Sequence, residues 1–240
     1  MILHLVNPNA TASMTAKVAA AAQAVVAPGT QLLTGNPTGV PASIEGYADE
    51  AMAVPALLRA ILLAEAQGAD AHVIACFDDP GLDAAREVAR GPVIGICQAA
   101  VQVAMTIAAR FSVVTTLPRS VPIIEDLLQS YGATHRCRRV RAADVPVLAI
   151  EQPGGVALIE AEILAARDED RAEAVILGCA GMADIAAELQ ARCGLPVIDG
   201  VTAAVKLAEG MVGGGFATSK IGAYALPRAK AGSILAGGGP

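Results

Sequence analysis

Two stretches of this chain repeat one pattern, and the repeat restricts the fold more than any other feature of the sequence. Residues 71–101 read AHVIACFDDPGLDAAREVARGPVIGICQAAV, and residues 172–205 read AEAVILGCAGMADIAAELQARCGLPVIDGVTAAV. Each opens on an apolar, β-branched run that ends in a cysteine, Cys76 or Cys179. Each then passes through an Ala-rich helical stretch and returns to Pro-Val-Ile. Pro92 lies 16 residues after Cys76, Pro196 lies 17 after Cys179, and both blocks close on Ala-Ala-Val. Strand, crossover helix and strand at this length form the βαβ unit of a parallel sheet. A unit present twice, with one thiol per copy, predicts two thiols facing each other across a pseudo-two-fold axis.

The alternation continues through the rest of the chain. Strands are expected at 2–6, 30–34, 72–76, 92–95, 111–115, 137–141, 174–178 and 196–198. Helices are expected at 11–26, 45–66, 81–89, 97–109, 118–130, 154–167, 182–191 and 200–210. Met1–Pro8 and Phe111–Pro118 then read as equivalent first strands. The predicted class is α/β: two pseudo-symmetric lobes, each a four-stranded parallel sheet flanked by helices, with the active site in the cleft between them. The first lobe takes 1–98 and the second 99–204. A C-terminal helix of about 205–228 packs back on the first lobe, and a Gly-rich flexible tail follows at 229–240. Asp79-Pro80 has the form of a helix N-cap followed by proline at N1, and Ser120-Val121-Pro122 opens a helix in the same style. Asp168–Arg171 reads as a solvated charged loop.

Composition limits the function. Hydrophobic residues are 54%, but aromatics are only 2% and Trp is absent, so the core must be built from Ala, Val, Leu and Ile. A net charge of −6 without a basic stripe excludes a phosphate-backbone binder, and no nucleic-acid partner is expected. The one basic cluster, Arg136–Arg141, reads as a solvated strand edge. Asn7-Pro8-Asn9 interrupts the first apolar run, unlike a secretory signal. Residues 91–109 carry no charge. They begin as Gly-Pro-Val-Ile-Gly, a strand and turn, and Gln98, Gln102 and Thr106 then make one polar stripe. A buried helix is expected there, and no membrane partner. Five cysteines without metal-type spacing point to reduced thiols in the cytoplasm and to no metal site.

In an open parallel sheet, ligands bind beyond the carboxyl ends of the strands, where Cys76 and Cys179 fall. A helix N-terminus following each cysteine would draw its pKa from about 8.5 toward neutrality. Two thiols on opposite sides of one carbon suit proton removal from one face and return on the other. The roles exchange for the opposite enantiomer. The oxyanion formed next to that carbon needs donors. The backbone amides of Phe77, Asp78, Ala180 and Gly181 are candidates, with Thr115, Thr116 and Asn7. Asn7 and the Thr pair suit helix capping equally well. Cys97, Cys137 and Cys193 read as small buried hydrophobes. His4 and His72 read as strand residues, and with His135 they lack a carboxylate or serine at a telling spacing. No phosphate-binding glycine loop is present, because Gly213-Gly214-Gly215 follows a helix.

Several segments together resemble one family. Asn7–Thr11, Pro41–Gly46, Ile74–Leu82, Val175–Met182, Pro196–Gly200 and Thr218–Tyr224 are similar to the hydantoin racemase branch of the aspartate/glutamate racemase superfamily, over residues 1–228. The resemblance implies a cofactor-independent two-base isomerase with the site between two lobes. Its small-molecule substrate would be a 5-substituted hydantoin or allantoin, deprotonated to a ring enolate, with Cys76 and Cys179 as the catalytic pair. It also implies a homo-oligomer. Arylmalonate decarboxylases resemble this fold but keep only the second-lobe cysteine, so Cys76 argues against that activity. Aspartate/glutamate-type racemases and maleate cis–trans isomerases remain alternatives on the same two thiols, and a two-lobed small-molecule sensor is the alternative without turnover. Cys97 and Gln98 stand where many relatives carry Gly and Glu.

Overall fold

The computed structural model describes residues 1–150, 152–230, 232 and 234. Four strands, β1 (Ile2–Val6), β2 (Gln31–Gly35), β3 (Ala71–Ile74) and β4 (Val93–Gly95), form a parallel sheet in the order β2-β1-β3-β4. A second parallel sheet holds β5 (Phe111–Thr115), β6 (Cys137–Ala142), β7 (Ala174–Leu177) and β8 (Val197–Asp199) in the order β6-β5-β7-β8. The two topologies are identical, so the repeat seen around the cysteines spans both halves. Ladder register pairs Leu3 with Ala71 and Phe111 with Ala174. Leu3 and Phe111 are therefore equivalent, two residues out of step with an alignment of Met1 on Phe111.

The helices are α1 (Ala12–Gln23), α2 (Tyr47–Ala66), α3 (Leu82–Val88), α4 (Ile96–Ile107), α5 (Val121–Ser130), α6 (Gly155–Asp168), α7 (Ala186–Cys193) and α8 (Gly200–Gly213). Short 3-10 segments, Pro118–Ser120 and Ala180–Ile185, lead into α5 and α7. The helices predicted at 118–130 and 182–191 thus each begin as a tighter turn.

Inner strands β1, β3, β5 and β7 are covered on both faces and read as near-continuous apolar runs. Their side chains alternate between three cores. Leu3, Leu5, Val73, Phe111, Val113 and Ile176 share a central core with the alanines of α4 and α8. Val6 and Ile74 face an outer core with α2 and α3, while Val114, Val175 and Leu177 face another with α6 and α7. His4 and His72 are register neighbours, with Nδ1 atoms 3.1 Å apart. His72 Nε2 also lies 3.3 Å from Glu65, a carboxylate that spacing alone did not reveal. Burial and the neighbouring His72 push His4 down to about 3, so His4 stays uncharged at neutral pH.

Edge strand β6 corrects the reading of the basic cluster. Arg138 and Arg139 are exposed, but Arg141 is buried. Its guanidinium donates to Asp170 at 2.7 Å, Glu169 at 2.7 Å and Glu162 at 3.2 Å. The Asp168–Arg171 run is accordingly not a purely solvated loop. Asp168 ends α6, and Asp170 is the main counter-ion of Arg141. Asp79 does not cap α3 either: Gly81, left-handed at φ 63°, takes that position. The Asp79 carboxylate instead accepts from the amides of Cys97 (3.0 Å) and Gln98 (2.9 Å), capping α4. Gly95 makes room for it, since a Cβ there would stand 2.3 Å from the carboxylate. At the equivalent position of the second lobe, Asp199 caps α8 directly through the amide of Thr202 at 2.8 Å.

α4 and α8 exchange lobes. α4 leaves the first sheet and packs on β7 and β8, and α8 leaves the second and packs on β3, β4 and β1. They meet each other where their N-termini cross. A Cβ on Gly200 would lie 2.5 Å from the carbonyl oxygen of Ile96 and 2.9 Å from its Cβ. α8 stops at Gly213, so the helix expected at about 205–228 starts earlier and ends sooner, at a run of three glycines. The chain beyond still returns to the first lobe. Thr218 donates to the carbonyl of Gly91 at 2.6 Å, Lys220 to that of Arg86 at 2.6 Å, and Tyr224 to Asp83 at 2.7 Å. The tail expected at 229–240 lies, from 231 on except for 232 and 234, outside the described residues.

The crossing yields a paired prediction. Gly200→Ala should lower the unfolding free energy by about 1–3 kcal/mol through overpacking. Gly210→Ala, in the same helix with nothing within 4 Å of its added Cβ, should raise it by about 0.5–1 kcal/mol. Urea denaturation monitored by circular dichroism measures both; equal effects would contradict a tight crossing at Gly200.

Candidate active site

β3 and β7 hold equivalent places in the two sheets, and each runs two residues further as Ala75-Cys76 or Gly178-Cys179. The amide of Ala75 donates to Val6 at 2.8 Å, and that of Gly178 donates to Val114 at 2.8 Å. Each cysteine therefore sits just past the last ladder bond of its own sheet. Both open on one small cavity of about 30 Å³, walled by strand ends of both lobes. The pseudo-symmetry reaches the sulfurs: the Asp78 amide favours the charged form of Cys76, and the Gly181 amide favours that of Cys179. In each lobe it is the second amide after the cysteine. Cys179 also stands at the N-cap of the 3-10 turn 180–185.

Of the residues singled out in the sequence, Cys76, Phe77, Asp78, Thr115, Thr116, Cys179 and Ala180 line this cavity. Gly181 stands behind it, where an added Cβ would be 3.6 Å from the Cys179 sulfur. Its carbonyl accepts from Lys17 Nζ at 3.0 Å, a link from α1 of the first lobe. Asn7 is not among the lining residues. Its Nδ2 donates to Asn9 and to Thr15, each at 3.0 Å, which holds the β1–α1 loop instead. The Thr115 hydroxyl donates to the Gly178 carbonyl at 3.1 Å and so ties β5 to the Cys179 strand end. Asn9, Ile44 and Ser120 reach the cavity without having been picked out as site residues. Asn9 was visible as the second Asn of Asn-Pro-Asn; nothing local distinguishes Ile44.

The expected lowering of the thiol pKa values is overturned. Burial pushes Cys76 well above the usual thiol range, and the Asp78 charge adds to it against the Asp78 amide. Cys179 is pushed up to about 11 by burial, with the Gly181 amide opposing and Asp78 adding. The physical reason lies in the helix positions. α3 begins six residues beyond Cys76, so no helix starts directly at that thiol and burial dominates. What faces it is a carboxyl group. Both sulfurs keep a partial exposure on the cavity.

Two carboxyls follow Cys76. Asp79 is pushed up to about 6 by burial, against hydrogen bonds from Tyr131, Gln98 and Cys97. The Tyr131 hydroxyl, just after α5, donates at 2.7 Å, so Asp79 binds the two lobes together behind the site. Cys97 and Gln98 take part through their amides, and the Gln98 side chain accepts from Arg86. Asp78 is pushed up to about 7 by burial and by the charges of Glu50 and Asp79. Its Oδ2 is buried with no hydrogen-bond partner among the described residues. No Lys or Arg lines the cavity among the described residues.

A sequence model of the family described as Asp/Glu/Hydantoin racemase matches residues 3–208. A hydantoin racemase of Rhizobium meliloti is 63% identical over 233 residues, covering 96% of this chain and 97% of that protein. Among solved structures, an allantoin racemase from Klebsiella pneumoniae superposes with a TM-score of 0.94 at 48% identity, covering 97% of this chain and 96% of that one. An allantoin racemase from Pseudomonas fluorescens gives 0.92 at 40% identity, over 96% and 98% of the two chains. A glutamate racemase from Francisella tularensis, at 17% identity and a TM-score of 0.65, shares the fold.

The raised thiols predict slow, pH-driven alkylation in the free protein. Iodoacetamide labelling of Cys76 and Cys179, followed by peptide mass spectrometry, should accelerate about tenfold per pH unit from pH 6 to 9, because only the thiolate reacts. A rate that levels off near pH 7 at either site would contradict the electrostatics described.

Proposed function

The chain is an enzyme of the Asp/Glu/hydantoin racemase family, and on that footing we propose that it interconverts the enantiomers of a 5-substituted hydantoin or of allantoin. Cys76 and Cys179 are the two proton-transfer groups in this reading. The observation that carries it is the pair of thiols at equivalent strand ends of two matched lobes, opening on one cavity. A ring carbon held between them presents one face to each sulfur. The thiolate on the side of the hydrogen takes the proton, and the thiol opposite gives one back. For the other enantiomer the roles reverse.

The chemistry fits a ring amide better than an amino acid. The C5 proton of a hydantoin lies between a carbonyl and a ring nitrogen, so its loss gives an enolate conjugated with the ring. It is more acidic than the α-proton of a free amino acid carboxylate, and no pyridoxal-type electron sink is required. A thiol held near 11 costs on the order of 5 kcal/mol to ionise at pH 7.5, and in return is a stronger base toward carbon. Hydroxyls of Thr116 and Ser120 stand at the cavity wall as donors for the enolate oxygen. A dicarboxylate or an amino acid would bring its carboxylate into a site with Glu50 and Asp79 close by and no cation in the lining among the described residues. This supports an uncharged ring over aspartate, glutamate or maleate as substrate.

The test uses one enantiomer of a 5-substituted hydantoin in deuterated water, with optical rotation and C5 deuterium followed together. Wild type should lose rotation while gaining one deuterium at C5. Cys76→Ala and Cys179→Ala should each slow racemisation by about 10³-fold, within the usual range for removing a positioned acid or base. Each variant should exchange only the enantiomer whose hydrogen faces the remaining sulfur. Racemisation that survives in both variants would sink the two-thiol mechanism. Turnover of maleate or aspartate in place of hydantoins would move the chain to another activity.

A further inference from the structure

Asp78 Oδ2 is the buried side-chain oxygen without a hydrogen-bond partner among the described residues, and it belongs to a residue that lines the thiol cavity. Such an atom costs about 1–3 kcal/mol of unmade hydrogen bonding unless something else completes it. The groups facing Asp78 are all acids. Glu50 approaches from α2 and Asp79 from the same loop, while Cys76, Cys97 and Cys179 interact with its charge from the two strand ends and from α4. The cation on this side, Lys17, is engaged by Asp184 at 3.2 Å and by the Gly181 carbonyl, and it acts on Cys179. Arg86 acts on Asp79.

We propose that Asp78 works as an uncharged carboxyl group that pairs with the N–H and C=O of a cis-amide edge of the substrate ring, and that this pairing makes the site select cyclic ureides over free carboxylates. The inference rests on the racemase reading above and adds a specificity determinant to it. A neutral carboxyl carries one O–H donor and an acceptor side by side, the complement of a lactam edge. A hydantoin ring offers such an edge next to its reacting carbon, and the unpartnered Oδ2 gains its missing bond when the ring enters. A free α-carboxylate has no N–H to give and meets the acidic cluster head-on. Its rejection follows from an unpaired buried polar group, the form of discrimination that gives the largest ratios. Pairing also holds Asp78 in its neutral form during turnover, which removes one charge that works against the ionisation of both thiols.

Wild type, Asp78→Ala and Asp78→Asn are compared in two assays. Calorimetry with unsubstituted hydantoin, which has no stereocentre, reports binding alone. Polarimetry with a single 5-substituted enantiomer gives KM and kcat from pH 6.0 to 8.5. Asp78→Ala should weaken hydantoin binding and raise KM at least tenfold, with a smaller change in kcat. Asp78→Asn, which keeps a donor and an acceptor, should recover most of that loss. Wild-type KM should rise as pH passes about 7, where Asp78 ionises, and the Asn variant should show no such rise. Folding provides an independent check. A carboxyl whose pKa is raised on folding gives its full stability below its unfolded value and loses it as pH climbs through the folded one. Asp78→Asn should therefore gain melting temperature over wild type more at pH 8.5 than at pH 5.

A wild-type KM that falls through pH 7, or binding that Asp78→Ala leaves within twofold, would overturn the proposal while racemisation by wild type keeps the two-thiol reading intact. Hydantoin binding that depends on Asp78 in a wild type unable to racemise would do the reverse. A wild type that neither binds nor racemises hydantoins would overturn both.

Discussion

The crossing of α4 and α8 holds the remainder of the molecule in place. Each helix starts at the last strand of its own sheet and covers the other sheet, so neither lobe can shed the exchange without exposing its central core. Close approach at Ile96 and Gly200 requires a residue without Cβ, and the alanines along both helices keep the rest of the contact narrow. A 2% aromatic content is the compositional trace of this arrangement, because large rings would push the helices apart. The helix N-termini lie at the pseudo-axis. The two strand ends that carry Cys76 and Cys179 both line one cavity.

The two lobes solve the capping of those helices differently, and the difference shapes the site. Asp199 caps α8 from its own N-cap position, whereas α4 starts at Gly95 and borrows Asp79 from the loop after Cys76. That loan brings a second carboxyl, Asp78, to the edge of the thiol cavity with acids around it. Burial then acts on every ionisable group there in the same direction, favouring the neutral form of thiol and carboxyl alike. The cavity accordingly carries less charge at neutral pH than its acidic residues would carry in water, with Asp78 pushed up to about 7 and Asp79 to about 6. In the proposed reaction such a site takes a neutral ring with amide edges, and burial makes each thiol a reluctant but strong base once ionised.

Much of the fold was legible in the sequence because burial on both faces writes a parallel strand as a short unbroken apolar run. AHVI, AVIL and FSVVT announce β3, β7 and β5 in this way, and the helices between them fill the intervening lengths. The thiol pair was legible because the repeat placed two cysteines at matched positions and left Cys97, Cys137 and Cys193 unmatched. Local rules failed where the partner was distant. Asp79-Pro80 looks like the cap of the next helix, yet its carboxylate is drawn to amides 18 and 19 residues on. Arg141 looks like one more charge on an edge strand, yet Glu162, Glu169 and Asp170 converge on it from the end of α6 and the turn after it. Asn7 looks like a strand-end donor, but the turn it starts consumes its side chain.

The sequence by itself determined two βαβ-built lobes, parallel sheets, an aliphatic core and a cysteine at the matched position of each repeat. These follow from hydrophobic periodicity and internal repetition, which are properties of neighbours in the chain. Only the tertiary structure decided the electrostatics of the site. Whether a thiol is lowered by a helix end or raised by burial depends on which groups lie close in space, and here burial dominates with the Asp78 charge adding to it. The same holds for the orphaned oxygen of Asp78, since a missing partner is a fact about three-dimensional surroundings that no run of residues encodes.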